Sequence, residues 1–405
     1  MANFTKIYGV RGVVQHYNWG GKNYIPTVLK QQNEGDKPFA EYWLGAHDNA
    51  PSAIEGTGNE QKLNTLIAHY PQYLGDKARE NFGRLPYLLK ILDVKDMLSI
   101  QVHPTKAAAM EEFAAEEKQG KPRNAPDRNY KDDNHKPELM LALSEFYLLH
   151  GFRPVESMKT ILKEIPELNF LLPIFGEGNY RELYQAVMEM PQEEVNERLT
   201  PLLNRLQEKY NAGQLSKEHP DFWAARAANT YNEPGKIDRG IFSIYLLNVV
   251  KVQKGEAVFQ DAGLPHAYLE GQNIEIMANS DNVLRGGLTN KHVDVRELMK
   301  HVRFEPTEPN ILKGSKGEIE EERVFHTPAK DFELSELKLG KGKDSRLNIH
   351  ALDIFLVLGG RVSVSVDGEQ IRRDSGEAFM AVAGTGLNIS AIEDSLLYRA
   401  TVPGA

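Results

Sequence analysis

"GEAVFQDAG", Gly255–Gly263, is echoed far downstream by "GEAFMAVAG", Gly376–Gly384. The two stretches share Gly-Glu-Ala and a closing Ala-Gly at the same offsets. In each, a glycine turn launches a short apolar run and a second turn ends it, which is the pattern of a strand between turns. The echo predicts two similar β-sandwich units. The copies differ just past the second turn. The first continues "LPHAYL" and places His266 there, whereas the second continues "TGLNIS". The first unit is therefore expected to carry a site and the second to be structural.

The surrounding text agrees. "IFSIYLLNVVKVQKGEAVFQ" reads as strands, and short strands with Gly and Asp-Gly turns persist to the C-terminus. One helix, "VDVRELMKHV", interrupts them. This spacing predicts an antiparallel sandwich or barrel. Upstream, "GVRGVVQ", "LPYLLKILDV" and "MLSIQV" read as strands, and "TKAAAMEEFAAEEKQ" as a surface helix. Between the two β-rich parts, "VESMKTILKEI", "YRELYQAVMEM" and "PQEEVNERLTPLLNRLQEKY" have helical apolar spacing. Leu199, Leu202, Leu203 and Leu206 fall on one face. The expected fold is mainly β with an inserted α-helical domain. Its expected division is 1–153 with 241–325, an insert at 154–240, and a C-terminal β-sandwich at 326–405.

A chain of 405 residues, 41% of them hydrophobic, is too long for one core. No apolar run is long enough to span a bilayer, and "MANFTKIYGVRGVVQ" lacks the regions of a secretory signal. Cysteine is absent, which excludes disulfides, thiolate nucleophiles and Cys-based metal sites. A cytoplasmic setting fits these features. A net charge of −9 without a basic block argues against a nucleic-acid partner. An anionic small substrate would need Lys and Arg gathered locally against the overall sign.

Candidate chemistry begins at "SIQVHPTK", Ser99–Lys106. Gln101 and His103 are two apart and share one face of a strand. Alone, the pair reads as a hydrogen-bonded polar patch. Glu138, in "NHKPEL", opens an apolar run and needs a partner if buried. His266 leads into another strand. Gln101, His103, Glu138 and His266 together make a two-nitrogen, two-oxygen set suited to Zn²⁺, with Fe²⁺, Co²⁺ or Mn²⁺ also allowed. Further along, "IEIMANSDNVLRGGLTNK" places Glu275 in an apolar strand and Asp281, Arg285 and Lys291 soon after the His-bearing strand. Lys90, within "YLLKIL", either snorkels at an edge or serves a pocket.

These stretches, with "VQHYNWGG", "AEYWLGAH", "DNHKPEL", "LLHGFRP" and "LPHAYLEGQ", closely resemble the type I mannose-6-phosphate isomerase (phosphomannose isomerase) family, in order and across nearly the whole chain. The resemblance implies a cupin-type β-sandwich catalytic unit followed by a degenerate second unit. It implies one bound zinc and interconversion of mannose 6-phosphate and fructose 6-phosphate by a single chain acting as a monomer. The family's zinc ligands fall on Gln101, His103, Glu138 and His266, and its active-site arginine on Arg285. Other pocket residues fall on Trp19, Lys90, Ser99, His135, Lys136, Glu275, Asp281 and Lys291. Asn290 stands where the family usually has Pro, and Leu139 where Met is frequent.

Such a reaction moves a proton between C2 and C1 through an enediolate. Arg285 is expected to stabilise the developing charge. Glu275, Asp281 and His135 remain open as the base, and His135 could instead assist ring opening. Lys136, Lys90 and Ser99 are expected to meet substrate oxygens or phosphate. An Fe²⁺ oxygenase of the same fold and a non-catalytic sugar-binding protein are the rival readings.

Overall fold

The two echoing stretches fold alike. In the computed structural model, which describes residues 5–56 and 61–404, they become the strands Ala257–Gln260 and Ala378–Ala381. All four flanking glycines have φ between 78° and 90°, a region that a Cβ disfavours. The launching turns also match. Glu256 accepts a hydrogen bond from the Gln253 amide at 3.0 Å, and Glu377 one from the Asp374 amide at 2.9 Å.

Among the described residues the strands form three sheets, and every strand pairing is antiparallel. The sheet that matters most for function is organised around one long strand, His266–Ala278. Its second half pairs with Tyr87–Val94 on one side and Glu138–Ala142 on the other. Its first half pairs with Phe146–Phe152 and meets Gln101 at His266. A register shift between Tyr268 and Glu270 separates the two halves. The strand therefore serves two groups of partners, one on each side of that irregularity.

Alternation along these strands builds two environments. Leu89, Ile91, Leu139, Leu141, Ile274 and Ile276 enter one core, shared with Ile354, Leu356, Met380 and Ala400 of the C-terminal sheet. The opposite face carries Lys90, Glu138 and Glu275 above a second core of Leu92, Met140, Leu148, Val250 and Val258. The C-terminal part has its own core between its sheet and the four-stranded sheet behind it, including Phe355, Val364, Phe379 and Ile389. The first strand, Ile7–Arg11, pairs with Ala378–Ala381 on one side and Ala53–Ile54 on the other, and so joins the C-terminal sheet.

Helices run from Val155 to Leu246 between the strands Phe146–Phe152 and Leu247–Val252. Leu199, Leu202, Leu203 and Leu206 are all buried, around the fully buried Trp223. Two expectations are corrected here. "IFSIYL" forms the helix Gly240–Leu246 rather than a strand, and the strand starts only at Leu247. All seven residues of that helix are buried, and a continuous apolar run carries no period to separate buried helix from buried strand. "MLSIQV" contributes only Gln101–Val102 as strand. Among the described residues no helix is long and apolar enough to cross a membrane.

The sheet built on His266–Ala278 is tied to the C-terminal sheet by Tyr87. Its buried hydroxyl lies 2.8 Å from the Leu352 carbonyl and 3.0 Å from the Ala400 carbonyl. Tyr87→Phe leaves those carbonyls short of a donor, so it is expected to cost about 1–2 kcal/mol, read as a lower urea midpoint. An unchanged midpoint would show that the tie contributes nothing.

Candidate active site

His103, Glu138 and His266 present ligand atoms that all lie within 4.8 Å of one another, and all three are buried. Each has a local reason to be there. Glu138 opens an apolar strand, and Pro137 before it keeps the approach extended. His266 begins the long strand directly opposite Gln101. His103 follows the short strand Gln101–Val102 and is followed at once by Pro104.

Both imidazoles are locked in one tautomer. His103 Nδ1 donates to the Asn282 carbonyl at 2.8 Å, and His266 Nδ1 to the Leu264 carbonyl at 2.9 Å. Each Nε2 therefore turns a bare lone pair inward. His103 Nε2 lies 3.4 Å from one Glu138 oxygen, and His266 Nε2 3.3 Å from the other. His103 Nε2 is buried with no hydrogen-bond partner. An orphaned imidazole nitrogen facing a carboxylate and a second imidazole is the donor set of a zinc-type cation. Glu138 stays ionised. Burial works against its charge, but Lys136, at 2.9 Å, leads the opposing pull, and the pKa is held well below the usual carboxylate range.

Glu138 and His266 line a narrow pit, with the fully buried His103 behind them, and Gln101, Glu275 and Lys90 line it too. The pit continues into a cavity of about 540 Å³. Trp19, Lys90, Ser99, Gln101, Lys136, Asp281, Arg285 and Lys291 line this cavity. Sequence-predicted residues from segments far apart in the chain thus meet around one space.

Lys90, Glu275 and Trp43 form a row across three strands. Lys90 Nζ sits 2.8 Å from Glu275, 3.3 Å from Glu41 and 5.1 Å from the centre of the Trp43 ring. Burial works against its charge, but the two carboxylates outweigh it and raise its pKa. Lys90 does not snorkel; the residue is only 5% exposed. One ammonium shared by two carboxylates leaves negative charge over. Burial, helped by Glu138 and Glu41, accordingly raises the Glu275 pKa against the pull of Lys90.

Asp281 is held by His47. The Asn49 amide donates to His47 Nδ1 at 3.2 Å, so the ring proton sits on Nε2, 3.3 Å from Asp281. Burial pushes the Asp281 carboxyl up, but His47, Lys136 and Lys90 outweigh it and the pKa is lowered.

Arg285 lies opposite Gln101 in register. The loop after it makes a close backbone approach: a Cβ on Gly287 would fall 2.5 Å from Gly240 Cα. Leu288 then takes φ 53°, a strained value for a non-glycine residue. Asp238 holds that conformation, accepting from the amides of Gly240, Leu288 and Thr289 at 2.7, 2.8 and 3.1 Å. This delivers Lys291 to the cavity beside Arg285 and Lys131. Burial, then the charges of Arg285 and Lys131, lowers the Lys291 pKa.

One predicted residue is not brought to this cavity. His135 points the other way and meets Asp331 at 2.9 Å. It lines a separate, larger cavity. Adjacent residues in extended chain face opposite sides, so Lys136 and Glu138 reach the site and His135 does not. Sequence reasoning missed Glu41, Trp43, His47, Lys131 and Asp238. Glu41 had a signal, because it opens the fully buried strand "EYWLG" just as Glu138 opens its own. Asp238 had none, because its role depends on loop contacts distant in sequence.

Residues 7–155 match the family model for the catalytic domain of phosphomannose isomerase type I. The mannose-6-phosphate isomerase of Escherichia coli K12 is 34% identical over 91% of this chain and 93% of its own length. That of Macaca fascicularis is 31% identical over 98% of each. A crystal structure of zinc-bound mannose 6-phosphate isomerase superposes with a TM-score of 0.88 at 32% identity, covering 98% of this chain and all of the other. The Salmonella typhimurium enzyme bound to its substrate and zinc does so with a TM-score of 0.87, again at 32% identity and the same coverage.

Two buried imidazoles make the fold acid-sensitive. Burial lowers His103 and His150 to about 4, against about 6.5 for an unfolded chain. Between those values the unfolded state binds more protons, so stability is full above the upper value and lost as pH falls toward the lower one. Metal-free protein should lose a few kcal/mol across this window, measured by urea unfolding at successive pH values. His150→Asn should flatten part of the slope. A profile flat between these limits would contradict the burial argument.

Proposed function

The chain belongs to the phosphomannose isomerase type I family and is an isomerase, and from that premise we propose that its cavity interconverts mannose 6-phosphate and fructose 6-phosphate through an enediolate. Its cofactor is zinc. The observation that carries the reading is a buried His-Glu-His cluster at the floor of a cavity whose wall carries Arg285, Lys291 and Lys131. In a chain of net charge −9, such a local gathering of cations suits an anionic sugar. The cluster alone would also suit an oxygenase, and the cations favour the phosphosugar.

We assign His103, Glu138, His266 and Gln101 as the residues that hold the metal. When bound, it supplies Lewis-acid polarisation of sugar oxygens at the reacting carbons. Lys291 and Lys131 take the phosphate. Arg285, whose pKa is lowered by burial alone, stabilises the enediolate charge. Lys136 donates to a sugar oxygen beside Glu138, and Ser99 and Trp19 complete the wall.

Proton transfer at carbon is assigned to Glu275. It shares the pit with the ligands, and burial raises its pKa toward the range a base needs. Transfer at oxygen is assigned to Asp281 with His47 behind it, a carboxylate and an imidazole in line. His135 has no part in either step.

All these residues fall within 1–153 and 241–325, which supports reading those segments as a cupin-type catalytic domain. In the same reading 154–240 is an inserted helical domain and 326–405 a structural one. We propose a monomer as the working unit, in which one chain supplies every named group.

A coupled isomerase assay with mannose 6-phosphate tests the reading directly. His266→Ala is expected to lose both zinc and activity, by metal analysis and turnover; full activity in zinc-free protein would sink the cofactor's role. Arg285→Ala should lower kcat by about 100-fold with a smaller rise in KM. The reverse split would make Arg285 a binding residue only. Glu275→Gln should abolish exchange of the C2 hydrogen with deuterated solvent while Asp281→Asn retains it.

A further inference from the structure

The largest of the cavities described, about 930 Å³, is not the active site but lies behind it. It sits where the helix Asp76–Phe82, the segment 134–137, the loop 327–331 and the residues 402–404 come together. Its wall carries four cations, Lys77, Arg84, Lys106 and Lys330, against two carboxylates, Asp261 and Asp331.

Both carboxylates are already engaged: Asp331 with His135 at 2.9 Å, and Asp261 with Arg303 at 3.3 Å. Among the described residues, most of the cations have no close carboxylate. Lys77 donates to the Gly404 carbonyl and Lys106 to the Asn134 side-chain oxygen at 2.8 Å, both uncharged acceptors. Arg84 has only a half-exposed Asp133 at 3.6 Å. Among the described residues Lys330 has no ion-pair partner. Phe82 and Phe259 add apolar surface. A ligand-sized space with some apolar wall and four exposed cations around it has the general form of a small-molecule site, and the sign selects an anion.

The cavity also touches the chain beside each buried metal ligand. Lys106 follows soon after His103, and Asp261 precedes His266. His135 and Pro137 alternate with Lys136 and Glu138 on the same extended segment. A ligand that draws on His135 or Asp331 therefore pulls on the backbone that places Lys136 and Glu138.

We propose that this cavity is a second site, taking a phosphorylated small molecule with an aromatic or apolar portion, and that its occupancy is coupled to the active site through residues 134–138. The coupling rests on the isomerase reading above; the binding does not.

The test uses zinc-loaded enzyme and ADP as the probe, by titration calorimetry with and without saturating fructose 6-phosphate. One ADP per chain should bind without being displaced by the sugar phosphate. Lys330→Glu and Arg84→Glu should each weaken ADP by about tenfold or more while basal isomerase turnover stays unchanged. Arg285→Ala should leave ADP binding intact. ADP should shift the affinity for fructose 6-phosphate by about fivefold or more, and His135→Ala should remove that shift while ADP still binds. Competition between ADP and fructose 6-phosphate, indifference to Lys330→Glu and Arg84→Glu, or no binding at millimolar ADP would overturn the site. Binding with no change in sugar-phosphate affinity would overturn the coupling. If the chain has no isomerase activity, the titration without sugar still decides the site.

Discussion

A carboxylate buried as deeply as Glu138 has to be paired, and much of the active-site side follows from that demand. Two imidazoles, each locked by a backbone carbonyl, face its two oxygens, and Lys136 lies against one of them. Meeting the demand requires three chain segments to converge. Gln101–Val102, Glu138–Ala142 and His266–Ala278 are therefore neighbours in one sheet. The same rule operates one row away, where Lys90 is enclosed by Glu41 and Glu275. The floor is thus dense with charge, and its two ammoniums leave the three carboxylates with negative charge over. The free positive charge stands higher up, at Arg285 and Lys291, where an anion would arrive.

The polar floor is possible because its reverse side is entirely apolar. Each strand alternates, and the outward residues of one face form the core shared with the C-terminal sheet. The second unit repeats the turn-strand-turn of the first, down to the Glu-to-amide bond in its launching turn. It has no histidine at the place of His266, and its strands Asp353–Gly359 and Ala378–Ala381 supply backing.

Most of the metal cluster was legible because buried strands expose their exceptions. Gln101 and His103 two apart, Glu138 heading an apolar run, and His266 after a turn all break a hydrophobic pattern. Glu41 broke it in the same way and was passed over. The helix at Gly240–Leu246 was illegible for the opposite reason, since a run with no polar residue facing water has no period to read. His135 was misplaced because residue type says nothing about which side of an extended segment faces the site.

The sequence by itself determined the mainly β character, the run of helices between residues 155 and 246, the residue types of the metal cluster and the family, since turn glycines, alternation and motif order are local properties of the chain. Only the tertiary structure decided which charges meet. It turned His135 away toward Asp331, set His47 behind Asp281, and let Asp238 hold the strained loop that carries Lys291. Those pairings join residues far apart in the chain, and a buried charge finds its partner in space rather than in sequence.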